Sequence, residues 1–417
     1  MNIIIFNYSH PDFPHISAKR MSYFAQHLAM QGNRVVLITK TLRDEGENKP
    51  YSVVVEELKQ HDWQEPYLLA VAPNKSQLLS FIRKANTPVL LRRIAILYCF
   101  LFKQGRLFYD WSEKVESYFP YLKRTFPANI SWGTFGNIDT LFLVRNVARQ
   151  YNIPYILDIK DPWQRFVKVF TYSLAKKFKG AAGITINSMF QVEHSLPWFR
   201  GIPYYLLYSG LDANEIKKPQ YSGNRAEKSR EIFTIMMVGS IYDNCQFKDL
   251  LQAIDRWSYD TLRKNNQQLF FIYAGADAER VRVILDKLNI KFNRSIYDFL
   301  SYTDLFMLYQ TSNVISYIGS PNTFHHKLIE ILAFGLPVLA YSYESSESVG
   351  LADSCQGKLF VCYNEHEVQE ALNEVRALQQ PEQEVNTIVL DRFSWSTLSK
   401  DLESFFRNLI LDKATNK

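Results

Sequence analysis

FHHKLIEILAFGLPVLA, residues 324–340, decides how the chain is to be read. Phe324, Leu328, Ile331 and Leu332 recur at helical spacing and make one apolar face. Gly335 is placed to end that helix in a left-handed turn, and Pro337 keeps it from resuming. Residues 338–340 then read as a strand entering a sheet core, so the fragment is helix, sharp stop and buried strand. Thr323, Lys327 and Glu330 form a polar stripe near the predicted helix start. A cation and a carboxylate one turn apart at such a place suit a diphosphate and a ribose. The phosphates would meet the lysine and the helix dipole, and the hydroxyls would meet the carboxylate. The same spacing also describes an ordinary i,i+3 ion pair on a helix surface.

Outward from this fragment the alternation of strand and helix continues. Residues 3–6 are a continuous apolar run of the kind that fills a parallel sheet. Ala18, Met21, Phe24, Ala25, Leu28 and Ala29 make a helical face closed by Gly32, and residues 35–38 give the next strand, a βαβ unit of Rossmann type. The loop 7–17 lacks G-x-G-x-x-G, so a dinucleotide is not expected there. Ser17, Lys19 and Arg20 either serve an anion or simply start the helix. Residues 130–134 read as a strand, 138–151 as a helix, and 153–163 as a strand running into Asp158, Lys160, Asp161, Pro162 and Trp163. Charged groups at a strand's carboxyl end lie on the ligand-binding edge of an open α/β sheet. An aspartate before proline also caps turns for purely structural reasons. Residues 183–187 and 204–208 complete the strands of the first half.

Ala213 to Glu231 is rich in Lys, Glu, Asn, Ser and Arg and is the natural linker. Beyond it residues 233–238 read as a strand, Gly239 and Ser240 as a loop, 248–257 as a helix and 270–274 as a strand ending in Gly275. Residues 296–300 read as helix, 305–308 as strand and 312–322 as loop. The expected architecture is α/β: an N-terminal Rossmann-like domain over 1–210, a second over 211–395, and a helix over 396–417 packing back on the first.

The composition fits a globular protein, with 47% hydrophobic and 22% charged residues and a net charge of +6. That charge suits phosphate-bearing ligands or an anionic surface, and no nucleic-acid partner is expected. Cys99, Cys245, Cys355 and Cys362 show no metal-ligand spacing, so neither a metal site nor a disulfide framework is expected. The opening MNIIIFNYSH reads directly as a strand without the pattern of a cleaved leader, and a reducing, cytoplasmic compartment is the expectation. Residues 94–102 (IAILYCFLF), flanked by Arg92, Arg93, Lys103 and Arg106, are too short to span a bilayer. They are either an interfacial segment whose cations meet anionic headgroups or a buried core helix with polar ends.

The fragment Lys327, Glu330, Ala333, Gly335, Pro337 resembles the donor-site helix of the GT-B glycosyltransferases, in particular retaining family 4. The block Asp158-Ile159-Lys160-Asp161-Pro162-Trp163 resembles a D-x-R-D-P-W signature of a branch concerned with surface polysaccharides, with lysine at the usual arginine. Ser209-Gly210-Leu211-Asp212 is similar to the interdomain crossing of such chains. The resemblance implies a cleft between two Rossmann-like domains and transfer of a sugar from a nucleotide-sugar donor to a glycan or lipid-linked acceptor. It implies no metal or other cofactor, and the absence of D-x-D agrees. Glu330 would bind the ribose and Lys327 the diphosphate, with Gly239, Ser240, Lys248, Gly275, Asn322 and Thr323 around the donor. Asp161 would orient the acceptor or sugar hydroxyls, and Ser17, Lys19, Arg20, Asp158, Lys160 and Trp163 would line the acceptor side. The resemblance also implies peripheral attachment to the inner face of the plasma membrane through 92–106. Three departures stand out: Asn322 where many members have a glutamate to the transferred sugar, Ser240 in place of an arginine, and no Gly-Gly turn after the first strand. They keep open a non-catalytic scaffold of the same fold; a nucleotide-sugar epimerase is a further alternative. His325 and His326 read as structural or surface residues.

Overall fold

The computed structural model describes all residues except 14–15, 44–45, 75, 85, 164–167, 213–215, 217–230, 291, 299, 321–323, 379–385 and 416–417. Asn322, Thr323 and all of the linker except 216 and 231 lie outside the described residues. The chain forms two compact units, Met1–Gly210 with Trp395–Lys417, and Leu211–Ser394.

The first unit is built on β1 (Asn2–Phe6), β2 (Arg34–Lys40), β3 (Tyr67–Val71), β4 (Ile130–Thr134), β5 (Tyr155–Ile159), β6 (Gly183–Ile186) and β7 (Tyr204–Leu206). They lie in the order β3-β2-β1-β4-β5-β6-β7, all paired in parallel. Alternation of side chains explains why β1 is apolar from Ile3 to Phe6. Ile4 and Phe6 enter the core on one face of the sheet, with Trp111, Phe119 and Phe142. Ile3 and Ile5 enter the core on the other, with Phe24 and Trp132. That second face is covered by the helices Ile16–Met30 and Trp395–Thr415. Trp395 stacks on Tyr23 at 5.0 Å and 3°, and meets Phe24 edge-on. Gly210 is part of this closure, since an added Cβ would stand 2.5 Å from the Trp395 ring. The sequence reading assigns no element to β3.

The second unit holds β8 (Ile232–Val238), β9 (Gln268–Ala274), β10 (Asn293–Tyr297), β11 (Val314–Ile318), β12 (Val338–Tyr341) and β13 (Leu359–Cys362). Their order is β10-β9-β8-β11-β12-β13, again all parallel. Three expectations are corrected here. Residues 305–308 are not a strand but lie in the helix Tyr302–Thr311, capped by the Ser301 hydroxyl, which accepts the Asp304 amide. Leu305, Phe306 and Tyr309 are its buried face. The strand that a parallel sheet needs at this point is β11, five buried residues inside the expected loop. The predicted helix over 296–300 is likewise β10 and the loop after it.

The decisive fragment folds much as read. Its helix is Lys327–Ala333, starting later than Phe324 suggests, and Phe324 is buried ahead of it. Gly335 has φ +68° and its amide bonds Leu332 O at 3.0 Å. This is a conformation that a side chain disfavours. β12 follows at once.

Candidate functional site

In an open parallel sheet the ligand crevice lies beyond the strands' carboxyl ends, where the strand order reverses. In the second unit that point is between β8 and β11. Gly239 and Ser240 follow β8, Gly275 follows β9, Lys248 lies on the helix Asn244–Trp257, and Lys327 and Glu330 lie on the helix between β11 and β12.

After β8 the chain turns at Gly239 with φ +94°. Its amide bonds Ala274 O at 3.1 Å, and its carbonyl accepts the Tyr273 hydroxyl at 2.7 Å. The end of β9 therefore presses on this loop. A Cβ on Gly275 would lie 2.5 Å from Gly239 O and 2.7 Å from the Tyr273 hydroxyl, so no side chain fits there. Burial raises the Tyr273 phenol to about 12, so it remains a donor at neutral pH. Ile241 is fastened from both sides: its amide donates to Asp277 Oδ2 at 2.9 Å and its carbonyl accepts Arg280 Nη1 at 2.9 Å. Ser240 and Lys248 are exposed. Arg280 brings a half-exposed guanidinium against this loop, a cation that the sequence reading sought at Ser240.

Lys327 and Glu330 are brought together by the helix itself. Glu330 Oε1 accepts from Lys327 Nζ at 3.1 Å and from the Tyr309 hydroxyl at 2.9 Å. The carboxylate side chain is only 10% exposed, whereas the lysine is 42% exposed. The i,i+3 ion pair is thus present, but its acidic member is nearly buried and the tyrosine of another helix orients it. Tyr309 was hidden from the sequence reading by the mistaken strand over 305–308.

A second cluster joins the ends of β11 and β12. The Tyr317 hydroxyl donates to Glu344 Oε2, and the Ser345 amide donates to Oε1 at 2.8 Å. His325 lies over the Tyr317 ring at 4.7 Å with Nδ1 3.7 Å from Glu344 Oε2, and Tyr242 approaches it from the β8 loop at 5.9 Å. Burial pushes Glu344 up, but the His325, Tyr317 and Ser345 donors together outweigh it and hold the carboxyl below its ordinary value. Burial and the adjacent Glu344 drive Tyr317 well above the ordinary phenol value.

In the first unit the expected acceptor-side residues divide. Arg20 Nη1 and Asp158 Oδ2 are 2.7 Å apart, with side chains 3% and 0% exposed. Asp158 Oδ1 accepts Thr185 Oγ1 at 2.8 Å, Thr185 in turn accepts the Trp132 indole N–H at 3.0 Å, and Arg20 Nη2 reaches Leu207 O at 2.9 Å. These two charges pair with each other inside the fold and are almost closed to solvent. Trp163 is also internal, packed on Phe135 and Phe199 with its indole N–H on Thr171 O at 3.2 Å. Ser17 is buried, and its carbonyl accepts Asn7 Nδ2 at 3.1 Å. Lys19 is exposed, while Lys160 and Asp161 are half-buried just past β5. The D-x-K-D-P-W block therefore mixes an inner anchor (Asp158, Trp163) with an outer pair (Lys160, Asp161).

Comparison with known proteins places this geometry. Residues 223–388 match the family described as Glycosyl transferases group 1. No curated protein sequence matches the chain. Among solved structures it is similar to the sucrose-phosphate synthase of Thermosynechococcus elongatus, at 11% identity and TM-score 0.65, covering 98% of this chain and 99% of that one. It is also similar to Anabaena HepE in complex with UDP-glucose, at 13% identity and TM-score 0.62 over 97% and 99% of the two chains. The N-terminal domain of Candida albicans trehalose-6-phosphate phosphatase aligns at 13% identity and TM-score 0.63 over 98% and 99%. The chain thus has the GT-B fold, and its second unit, through the match to the glycosyl transferases group 1 family, supports a role in glycosyl transfer.

Proposed function

We propose that the chain is a retaining, metal-independent glycosyltransferase that moves a sugar from a nucleotide-sugar donor to a glycan or lipid-linked acceptor. The setting is cell-surface polysaccharide or lipopolysaccharide assembly, on the cytoplasmic side of the plasma membrane. The observation that carries the reading is the oriented Glu330 carboxylate beside a partly exposed lysine, within the stretch that matches the group 1 family. Tyr309 fixes Glu330 for the ribose hydroxyls. Lys327 neutralises Glu330 at rest, and its exposed ammonium can turn to the diphosphate as negative charge builds on the leaving group. Gly239 and Gly275 let the phosphates approach backbone, with Ser240 and Lys248 following Gly239 in sequence and Asn322 and Thr323 just preceding Lys327. Asp161 orients the acceptor or sugar hydroxyls, helped by Lys160 and Lys19. In a retaining transfer the departing diphosphate itself accepts the acceptor's proton, so no separate base is required.

Calorimetry with UDP, GDP, ADP and CMP on the wild type and on Glu330→Ala tests this. Loss of a charge-assisted hydrogen bond to ribose is expected to cost about 1.5–3 kcal/mol, roughly ten- to a hundredfold in affinity. Selective binding of one nucleotide, weakened in the variant, is the expected result. A folded protein that binds none of them would instead be a non-catalytic scaffold, the reading that Ser240 and Asn322 favour. Appearance of an epimer of the donor sugar without acceptor would make it an epimerase.

A further inference from the structure

The helix Val89–Phe102 wears its apolar face outward. Leu90, Ile94, Leu97 and Leu101 recur at spacings of four, three and four residues, which is one stripe of a helix. All four are exposed, as are Val89, Leu91, Tyr98 and Phe102, with Leu90 and Phe102 each at 69%. The side turned to the first unit is the less apolar one: Ala95 and Cys99 are its buried residues, and Phe100 packs on Phe170 at 4.4 Å. Surface helices ordinarily show the reverse, and an exposed apolar patch of this extent marks an interaction surface.

The charge around the stripe says what covers it. From residue 66 to residue 109 the sequence contains no aspartate or glutamate, while Lys75, Arg83, Lys84, Arg92, Arg93, Lys103 and Arg106 contribute seven positive charges. Arg93 and Lys84 are exposed, and Arg92 Nη2 is tied to Lys84 O at 2.7 Å. A protein partner of general kind would not need so one-sided a rim. At its C-terminal end Lys103 pairs with Glu113 at 3.3 Å and Arg106 lies 3.9 Å from Glu116, which leaves Lys84 and Arg93, among the described residues, as the exposed cations beside the stripe. An apolar stripe with exposed cations at its start matches a lipid leaflet with anionic headgroups, where the side chains enter the acyl boundary and the cations meet phosphate. Among the described residues no helix is long and apolar enough to cross a membrane. At 14 residues this helix is about 21 Å long, and an outward face running its whole length suits lying in the plane of the interface.

We propose that Val89–Phe102 is an in-plane membrane-docking helix that binds anionic bilayers through Leu90, Ile94, Leu97, Leu101 and Phe102, steered by Lys84 and Arg93. It places the first unit against the leaflet and stands independently of the nucleotide-binding reading. Flotation of the full chain with vesicles of phosphatidylcholine, with and without phosphatidylglycerol, tests it. The wild type should float with the phosphatidylglycerol vesicles and do so less in high salt. The variant Ile94→Ser/Leu97→Ser/Leu101→Ser should lose at least tenfold in partitioning at unchanged thermal stability, since these side chains are outside the core. Lys84→Glu/Arg93→Glu should lose binding mainly at low salt. A wild type that stays unbound, or a triple variant that floats equally well, overturns the proposal. So does a wild-type dimer in light scattering that the triple variant abolishes without any vesicle binding, because the face would then be covered by a second copy. Nucleotide affinity, measured on the same variants, should not change.

Discussion

Two buried acids set sharp expectations for single substitutions. Asp158 is fully closed off and holds Arg20, so Asp158→Asn leaves an uncompensated guanidinium inside the first unit. Breaking a buried pair from one side costs about 3–5 kcal/mol. Chemical denaturation should read a loss of that order, and a change within error would mean that Arg20 finds other partners. Glu344 differs, because its neighbours hold its carboxyl below the ordinary value in the fold. A depressed acid contributes stability that is fully present above the unfolded value and lost as pH falls through the folded one. Melting temperatures taken downward from neutral pH should therefore fall more steeply for the wild type than for Glu344→Gln through the acid range. Parallel acid limbs in the two proteins would remove Glu344 from the account. Spacing alone showed that Lys327 and Glu330 would pair and left open whether they serve a ligand, but the Tyr317, His325 and Glu344 cluster was not legible at all. Tyr317 lies in β11, His325 follows it and Glu344 follows β12, so they meet only because β11 and β12 are neighbours.

The helices and strands that could be read were those whose boundaries carry their own chemistry. Gly335 with its left-handed backbone and Pro337 two residues later made the stop before β12 unmistakable. The continuous apolar run of β1 announced a strand covered on both faces. The failure over 305–308 has an equally plain cause. LFML is too short an apolar run to reveal its period, and only the Ser301 cap and the burial of Tyr309 make the helix evident. Trp163 misled in another way, since an aromatic beside a charged motif reads as a ligand platform while here it fills the core between Phe135 and Phe199.

Sequence order and spatial order part company in the first unit, which takes its last helix from the far end of the chain. Trp395, Leu398, Leu402 and Phe406 of that helix share a core with Ile3, Ile5, Phe24 and Trp132. Burial of each large apolar side chain contributes about 1.5–3 kcal/mol. Losing four approaches the entire stability of a domain, about 5–15 kcal/mol. Removal of residues 395–417 should strip β1 amides of their hydrogen-exchange protection while those of β9 keep theirs; equal protection in both would show the helix to be dispensable. The arrangement also bears on how the protein is made. Residues 211–394 must all leave the ribosome before the segment that completes the first unit does. At about 5–20 residues per second, that interval is on the order of ten to forty seconds. Throughout it the sheet face around Ile3 and Trp132 is half-covered, so the unit begun first is finished last. The nascent chain then offers chaperones a defined apolar face for a defined time, and a slow codon run within the second unit would lengthen it.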